Sequence, residues 1–171
     1  NVVNATPLVN KDWLKHKICN DNIKVLEVHR SKKDYELAHI PCSIFTNFYL
    51  DGWRETRKKM PLLMPSKSTL EALIGSLGIS NSDYVIIVAP GLGKYDMSEA
   101  ASIYFTFKYL GHKNISILNG GLKSWKEDWD NDIETGYSVP QENAYKSEIN
   151  NNIIANKEDI LEVISKKGYL I

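Results

Sequence analysis

Apolar and polar positions along the chain form short strand-like runs separated by segments with helical spacing. Residues 23–28 (IKVLEV) and 83–89 (DYVIIVA) are rich in β-branched residues, and NISIL (114–118) repeats the pattern. The unbroken apolar run at 83–89 is typical of a strand covered on both faces. Strands and helical segments follow one another in turn. This order predicts an α/β fold with a mainly parallel sheet and helices on both faces.

Polar residues at regular spacing predict where the helices begin. Asn10 is the expected N-cap of a first helix that carries Trp13 and Leu14 on its apolar face. Three further pairs have capping-box spacing and predict helix starts: Ser31 with Asp34, Ser68 with Glu71, and Asp96 with Glu99. The segment DGWRETRKKMPLLMP (51–65) is predicted to be a polar, basic loop.

The amino-acid composition of the chain changes after Trp129. The following residues are polar and rich in Asn, Glu and Ser, which is typical of a linker. At Asn156 a helical pattern begins again, and it is followed by the apolar residues YLI (169–171). The same order of helix and then strand occurs near the start of the chain, where KDWLKHKI (11–18) precedes IKVLEV (23–28). We therefore expect one domain over residues 1–136, a linker over 137–152, and the first helix and strand of a second, truncated domain over 153–171.

Composition narrows the classes of function. The 171 residues are 43% hydrophobic and 25% charged, with a formal net charge of +0, so no global charge favours nucleic acid. No apolar run reaches the length of a membrane span. The two cysteines, Cys19 and Cys42, have no zinc or CxxC spacing, and no metal site is expected. We predict that both cysteines are reduced thiols packed in the protein, which favours a cytoplasmic location; a disulfide between them is the alternative.

Four segments resemble the rhodanese family. VLEVHR (25–30) resembles the first-strand signature Val-Leu-Asp-x-Arg, and DYELAHIPCSIF (34–45) resembles acidic-x-x-x-His-Ile-Pro-Gly-Ala. LGHKNISILNGGLKSWKE (110–127) resembles Leu-Gly-x-x-x-Val-x-Val-Leu-x-Gly-Gly-x-x-x-Trp, and LVNKDWL (8–14) looks like the start of a tandem-domain sulfurtransferase. The resemblance implies a rhodanese-like, mostly parallel five-stranded sheet flanked by helices on both faces. It also implies sulfur transfer from a small-molecule donor to a small-molecule acceptor without a cofactor.

In the family, a cysteine in the loop after the fourth strand carries the sulfur as a persulfide. Here Ala89 or Pro90 stands at that position, and no cysteine follows Cys42. The resemblance implies the non-catalytic N-terminal domain of a thiosulfate sulfurtransferase, inactive alone, whose partner in cis is a second rhodanese domain. An inactive partner-binding module and a 3-mercaptopyruvate sulfurtransferase are the alternatives. Asn47 or Tyr49, and Leu62, replace the Asp and His of mercaptopyruvate transferases, which favours thiosulfate.

The basic stretch GWRETRKK (52–59) is the predicted substrate cleft. The resemblance places it near the cleft between two domains, where Trp53, Arg54 and Arg57 would meet an anionic donor; a solvated loop is the alternative. GLGKYD (91–96) does not match a phosphate-binding loop, because the required glycine and Ser/Thr are missing.

The remaining polar candidates are predicted to be structural. Glu27 and Arg30 match the acidic and basic members of the first-strand signature, and Glu27 stands where the family has Asp. His39 is expected to anchor a turn, with a catalytic base as the alternative. The other histidines have no partner pattern and are expected at the surface or as caps: His16, His29 and His112.

Overall fold

The computed structural model describes residues 5–155, with the backbone alone at residues 154 and 155. The strands are β1 (Leu8–Val9), β2 (Ile23–Val28), β3 (Ile44–Thr46), β4 (Glu55–Arg57), β5 (Met60–Leu63), β6 (Tyr84–Val88) and β7 (Ile115–Leu118). Five of them form one sheet in the order β1-β7-β6-β2-β3, and every neighbouring pair is parallel. The predicted five-stranded parallel sheet is confirmed.

Helices cover both faces of this sheet. They are α1 (Lys11–Lys15), α2 (Lys32–Leu37), α3 (Lys67–Ser76), α4 (Lys94–Tyr109), α5 (Gly121–Glu127) and α6 (Asn152–Ala155). Successive side chains of a strand point to opposite faces. On β2, Leu26 therefore joins a cluster with Ile74 of α3 and Phe107 of α4, whereas Val25 joins a cluster with Trp125 of α5. The apolar runs at 23–28 and 83–89 are the central strands because they supply both clusters.

The helix starts differ from the predicted capping pairs. Asn10 caps α1 as expected, since its Oδ1 accepts a hydrogen bond from Trp13 N at 2.8 Å. Ser31 precedes α2, but its side chain makes no capping bond. The prediction for α3 is wrong by two residues, because Ser66 is the N-cap and accepts from Thr69 N. Helix α4 begins at Lys94 after Gly93, so Asp96 lies inside its first turn.

The predicted basic loop over 51–65 is wrong, because it contains the β4–β5 hairpin. Arg57 pairs with Met60, which leaves Lys58 and Lys59 as a two-residue turn. Both lysines have positive φ, 48° and 66°. A tight turn of this kind usually has Asn and Gly at these positions, and two lysines carry no such signal in the sequence.

The segment predicted as a linker follows the surface of the domain without regular structure up to residue 150. Asn143 N donates to the Gly75 carbonyl at 2.9 Å, and Ser147 N and Oγ donate to Glu71 at 2.8 Å. Tyr145 is buried, with its hydroxyl 3.0 Å from His112 Nδ1. The division at 136 and 152 stays a prediction, and the proposed second-domain helix and strand fall mostly on residues 156–171, outside the described part.

No helix among residues 5–155 has the length and apolarity needed to cross a membrane.

Candidate functional site

The loop at residues 89–93 joins the central strand β6 to helix α4. The Ala89 carbonyl accepts a hydrogen bond from Leu122 N at 2.7 Å, and the Pro90 carbonyl accepts from Lys123 N at 3.0 Å. The start of α5 therefore holds the loop in place. In a parallel sheet the carboxyl ends of the strands share one edge, so the loop lies beside the end of β2.

Backbone-to-backbone packing fixes the shape of this loop. A Cβ on Gly121 would lie 2.3 Å from the Ala89 carbonyl oxygen, and one on Gly91 would lie 2.3 Å from the Gly120 carbonyl oxygen. Gly91 also has a φ of +81°, which glycine adopts without a steric cost. Gly121 and Gly91 are thus required for this close contact between the loop and the start of α5.

A carboxylate of the chain itself accepts one of the backbone hydrogen bonds of the loop. Asp96 Oδ2 accepts a hydrogen bond from Leu92 N at 2.9 Å. Pro90 has no N–H to donate. A loop of this kind can bind an anion through its backbone N–H groups, but here one of those groups already faces an internal carboxylate. Residues 89–93 (APGLG) contain no nucleophilic side chain, so the loop cannot carry a covalent intermediate.

Glu27 and His29 form a buried pair at the end of β2. His29 Nε2 lies 2.9 Å from Glu27 Oε1, and both side chains are almost fully buried. Glu27 Oε2 also accepts from Ile40 N and from Ser43 Oγ, each at 2.7 Å. These bonds join the strand to the turn that follows α2, and the structural role of Glu27 stays a prediction with which they agree.

Arg30 pairs with Glu99 of α4 and not with Glu27. Its Nε donates to Glu99 Oε1 at 2.8 Å, and the Glu99 side chain is only 4% exposed. This hydrogen bond raises the pKa of Arg30 above its usual value. The pair joins the end of β2 to the second turn of α4, so it holds the loop between Val88 and Lys94 from the outside.

His39 anchors the turn before β3. Its ring stacks on Tyr35 with a centroid separation of 4.0 Å, and Nδ1 lies 2.8 Å from the Tyr35 carbonyl oxygen. Its backbone N–H and carbonyl both pair with Glu134. The ring is buried, and this geometry agrees with an anchoring role.

A cavity of about 500 Å³ opens at this edge of the sheet. Apolar side chains and charged groups both line it, and His29 contributes to its wall. The apolar residues are Leu37, Ala38, Pro90, Leu92 and Leu122, and the charged ones are Arg30, Asp34, Asp96, Lys123, Lys126 and Glu127.

The sequence did not single out His29. The expectation of a surface position is wrong for His29 and His112, because each is 3% exposed. His112 does contribute to a cap, since its backbone N–H donates to the Phe107 carbonyl at the end of α4. His16 is the C-cap of α1 as expected. Glu27 lies on β2 and His29 follows the end of this strand two residues later, so their side chains share a face. That spacing was the available signal for the pair.

The three residues of the predicted cleft lie elsewhere, at and before the β4–β5 hairpin. Trp53 is fully buried and donates to Thr46 Oγ1 at 2.8 Å. Arg54 donates to Thr106 Oγ1 and to the Ser102 carbonyl of α4, and burial lowers its pKa to about 10. Arg57 is exposed and contacts Glu55 at 2.6 Å. The role of these three residues in a substrate cleft stays a prediction. Because Trp53 is fully buried, it could support such a cleft but not contact a ligand at the surface.

The prediction of reduced, packed cysteines is wrong for this structure. Cys19 and Cys42 form a disulfide with a Cα–Cα distance of 5.3 Å, and both residues are exposed. They precede β2 and β3, at the opposite edge of the parallel sheet from the loop at 89–93. Neither cysteine is therefore near this loop. Within residues 5–155 no group of three or more side chains could hold a metal ion.

The architecture and the site define a class of protein: a parallel α/β domain whose loop between β6 and α4 packs on α5 and contains no nucleophilic side chain. A family model described as "Rhodanese-like domain" matches residues 10–128. The chain belongs to this family.

Similar proteins include sulfurtransferases. The chain is 25% identical over 174 residues to thiosulfate sulfurtransferase of Rattus norvegicus, covering 95% of this chain and 57% of the relative. It is 29% identical over 168 residues to thiosulfate/3-mercaptopyruvate sulfurtransferase 2 of Arabidopsis thaliana, covering 94% and 44%. The chain thus spans about half the length of these relatives.

A solved structure supports the fold. The 3-mercaptopyruvate sulfotransferase SseA from Escherichia coli superposes with a TM-score of 0.73 at 19% identity, covering 91% of this chain and 63% of that one. At this identity the similarity confirms the rhodanese fold and carries no information about substrate.

Proposed function

We propose that this chain is the non-catalytic N-terminal domain of a tandem sulfurtransferase that moves sulfane sulfur from thiosulfate to cyanide or a thiol. The observation that carries the proposal is the loop at 89–93, which packs on the start of α5 and contains no nucleophilic side chain. The family resemblance aligns Ala89 or Pro90 with the cysteine position. The two cysteines of the sequence are bonded to each other at the other edge of the sheet. A second rhodanese domain in cis would supply the reactive thiolate.

The whole protein would work by double displacement. The thiolate of the second domain attacks the outer sulfur of thiosulfate, and sulfite leaves with the electron pair of the S–S bond. The resulting persulfide then gives its outer sulfur to the acceptor and regenerates the thiolate. This chain would form one wall of the cleft, and Arg57 on the exposed hairpin could attract the anionic donor.

The test is a thiocyanate-forming assay with thiosulfate and cyanide. The full-length protein that contains this sequence is compared with residues 1–171 alone and with residues 1–171 carrying Cys19→Ser and Cys42→Ser. We expect activity in the full-length protein and none above background in either short form. Turnover by the short chain that survives both serine substitutions would refute the assignment.

The same assay separates the alternatives. Substituting 3-mercaptopyruvate for thiosulfate in a parallel series identifies the preferred donor. A full-length protein that is inactive with both donors would instead favour a partner-binding module.

The cytoplasmic location stays a prediction, and one of its premises has changed. It was inferred from reduced cysteines, whereas the structure joins them in a disulfide that is typical of oxidising compartments. Trapping of free thiols with a maleimide immediately on cell lysis would decide the question. Peptide mass spectrometry then locates the label: modified Cys19 and Cys42 indicate a reducing compartment, and an unmodified Cys19–Cys42 pair indicates an oxidising one.

A further inference from the structure

The cavity beside the 89–93 loop contains a buried polar group that the proposed sulfur transfer does not use. The His29 side chain is 4% exposed and lines the cavity, and its Nε2 is held by Glu27. Among the described residues no hydrogen bond reaches His29 Nδ1, and this atom is not sealed from solvent. One ring nitrogen is therefore anchored by the protein while the other is available to a ligand.

The partners of Glu27 determine the role of each ring nitrogen. Glu27 Oε2 accepts two hydrogen bonds, from Ile40 N and Ser43 Oγ, as an ionised carboxylate does. Oε1 then accepts from the remaining partner, so His29 Nε2 carries the hydrogen. In the neutral ring Nδ1 is consequently an acceptor, and it is complementary to an O–H or S–H donor.

Some of the charged groups around the cavity have hydrogen-bond or ion-pair partners among the described residues, and others have none. Asp96 accepts from Leu92 N, and Glu127 lies 3.7 Å from Lys11 Nζ. Lys123 and Lys126 are exposed, and no ion pair involves either of them within residues 5–155. Asp34 is the remaining carboxylate on the cavity wall. The two lysines without such an ion pair outnumber it, so the net charge at the mouth is positive and favours an anionic ligand.

Apolar surface completes the cavity. Leu37 and Leu92 at its mouth are 73% and 82% exposed, and Leu122 and Pro90 lie on its wall. The volume of about 500 Å³ is within the range of small-molecule sites, which combine apolar walls with a few oriented polar groups.

We propose that this cavity binds a small carboxylate that also carries a hydroxyl or thiol group. The O–H or S–H group donates to His29 Nδ1, the hydrocarbon part packs on Leu92 and Leu122, and the carboxylate lies near Lys123. The Leu92 amide is not the anchor, because Asp96 already accepts its hydrogen bond. The site belongs to this chain alone and goes beyond the proposed function, since it requires neither a second domain nor a cysteine.

A matched set of probes tests the ligand class on the 171-residue chain. Nitrogen-15 NMR titrations use 3-hydroxybutyrate, 3-mercaptobutyrate, butyrate without a donor, and 3-hydroxybutyramide without a charge. We expect at least one donor-bearing acid to bind tenfold more tightly than butyrate and the amide, with shifts at the His29 ring and the Leu92 and Lys123 amides. Comparing the two acids distinguishes hydroxyl from thiol. Equal binding of butyrate, or shifts confined to other regions, would overturn the proposal.

Variants test the residues. His29→Ala should weaken binding tenfold or more, and His29→Gln should recover most of it, because its amide can donate to Glu27 and present an oxygen to the ligand. Lys123→Ala, at an exposed position, should weaken binding severalfold without affecting folding. His16→Ala is the matched control and should bind normally. If His29→Ala does not fold, Lys123→Ala decides the matter, and unchanged affinity in that variant contradicts the proposed site.

Discussion

A disulfide joins Cys19 to Cys42 across 23 positions of sequence and encloses the segment from β2 to α2, which contains Glu27, His29 and Arg30. Closing a loop of this length removes chain entropy from the unfolded state and stabilises a protein by about 3 kcal/mol. We expect a reductant to lower the free energy of unfolding by this amount in urea titrations. The Cys19→Ser, Cys42→Ser double variant should resemble the reduced protein and show no response to the reductant. A response in that variant would mean that the disulfide is not the cause.

The backbone at Cys42 predicts a second effect, separate from the bond itself. Cys42 has a φ of 62°, in the left-handed region that disfavours residues with a Cβ. In a Cys19→Ser background, Cys42→Gly should therefore be more stable than Cys42→Ser by about 0.5–1 kcal/mol, after the greater chain entropy of glycine is subtracted. The comparison is made by urea unfolding. Serine and glycine at Lys33, in helix α2, are the control, and there glycine should be the less stable. A glycine at position 42 that is no better than serine would contradict the strain argument.

The left-handed cysteines also show where sequence reasoning fails. The continuous apolar runs of β2 and β6 predicted the central strands, because burial on both faces leaves a direct mark on composition. Cys19 and Cys42 carry no mark of their proximity, since it depends on how α1 and the turn after α2 meet. The Lys58–Lys59 turn lacks the usual turn residues for the same reason: the surrounding pairing, rather than local preference, fixes its backbone.

The candidate site was predictable only in part. The alignment of Ala89 or Pro90 with the nucleophile position rests on the flanking motifs and stays a prediction. The partner of Asp96 could not be predicted, because the capping-box spacing with Glu99 suggested a helix start three residues too late. Glu99 instead faces Arg30, which is 69 residues away in the sequence. Side-chain pairs of this kind depend on tertiary packing.

His112 predicts that acid destabilises the protein. Its Nε2 lies 2.9 Å from the Asp83 carbonyl and its Nδ1 lies 3.0 Å from the Tyr145 hydroxyl, and burial lowers its pKa below the usual 6.5. As pH falls below 6.5 the unfolded chain takes up a proton at this site before the folded chain does, so stability is lost. One group contributes at most about 1.4 kcal/mol per pH unit.

Urea unfolding between pH 7 and pH 5 measures this effect. We expect His112→Gln to be less stable than the parent at pH 7 and to lose less stability on acidification. His16→Gln, at an exposed position, should keep the slope of the parent protein. Parallel curves for the parent and His112→Gln would exclude His112 as the source.

The contact between Gly75 and Asn143 predicts an unusual response to alanine. Alanine normally stabilises a helix relative to glycine by about 1 kcal/mol. Here a Cβ on Gly75 would lie 2.5 Å from the Asn143 carbonyl oxygen, and the Asn143 N–H bonds to the Gly75 carbonyl. Gly75→Ala should therefore destabilise the protein by about 1–3 kcal/mol, as overpacking does.

The substitution at Gly75 should also loosen the segment that packs on α3. Faster tryptic cleavage after Lys146 is the expected sign, because the backbone N–H of this residue is held by Asn81 Oδ1 at 2.9 Å in the docked segment. Ser76→Ala, on the exposed side of the same helix, is the matched control and should change stability by less than about 0.5 kcal/mol with normal cleavage. Stabilisation by Gly75→Ala with unchanged cleavage would show that residues 137–150 do not lie against α3. The segment would then behave as the free linker that its polar composition suggested.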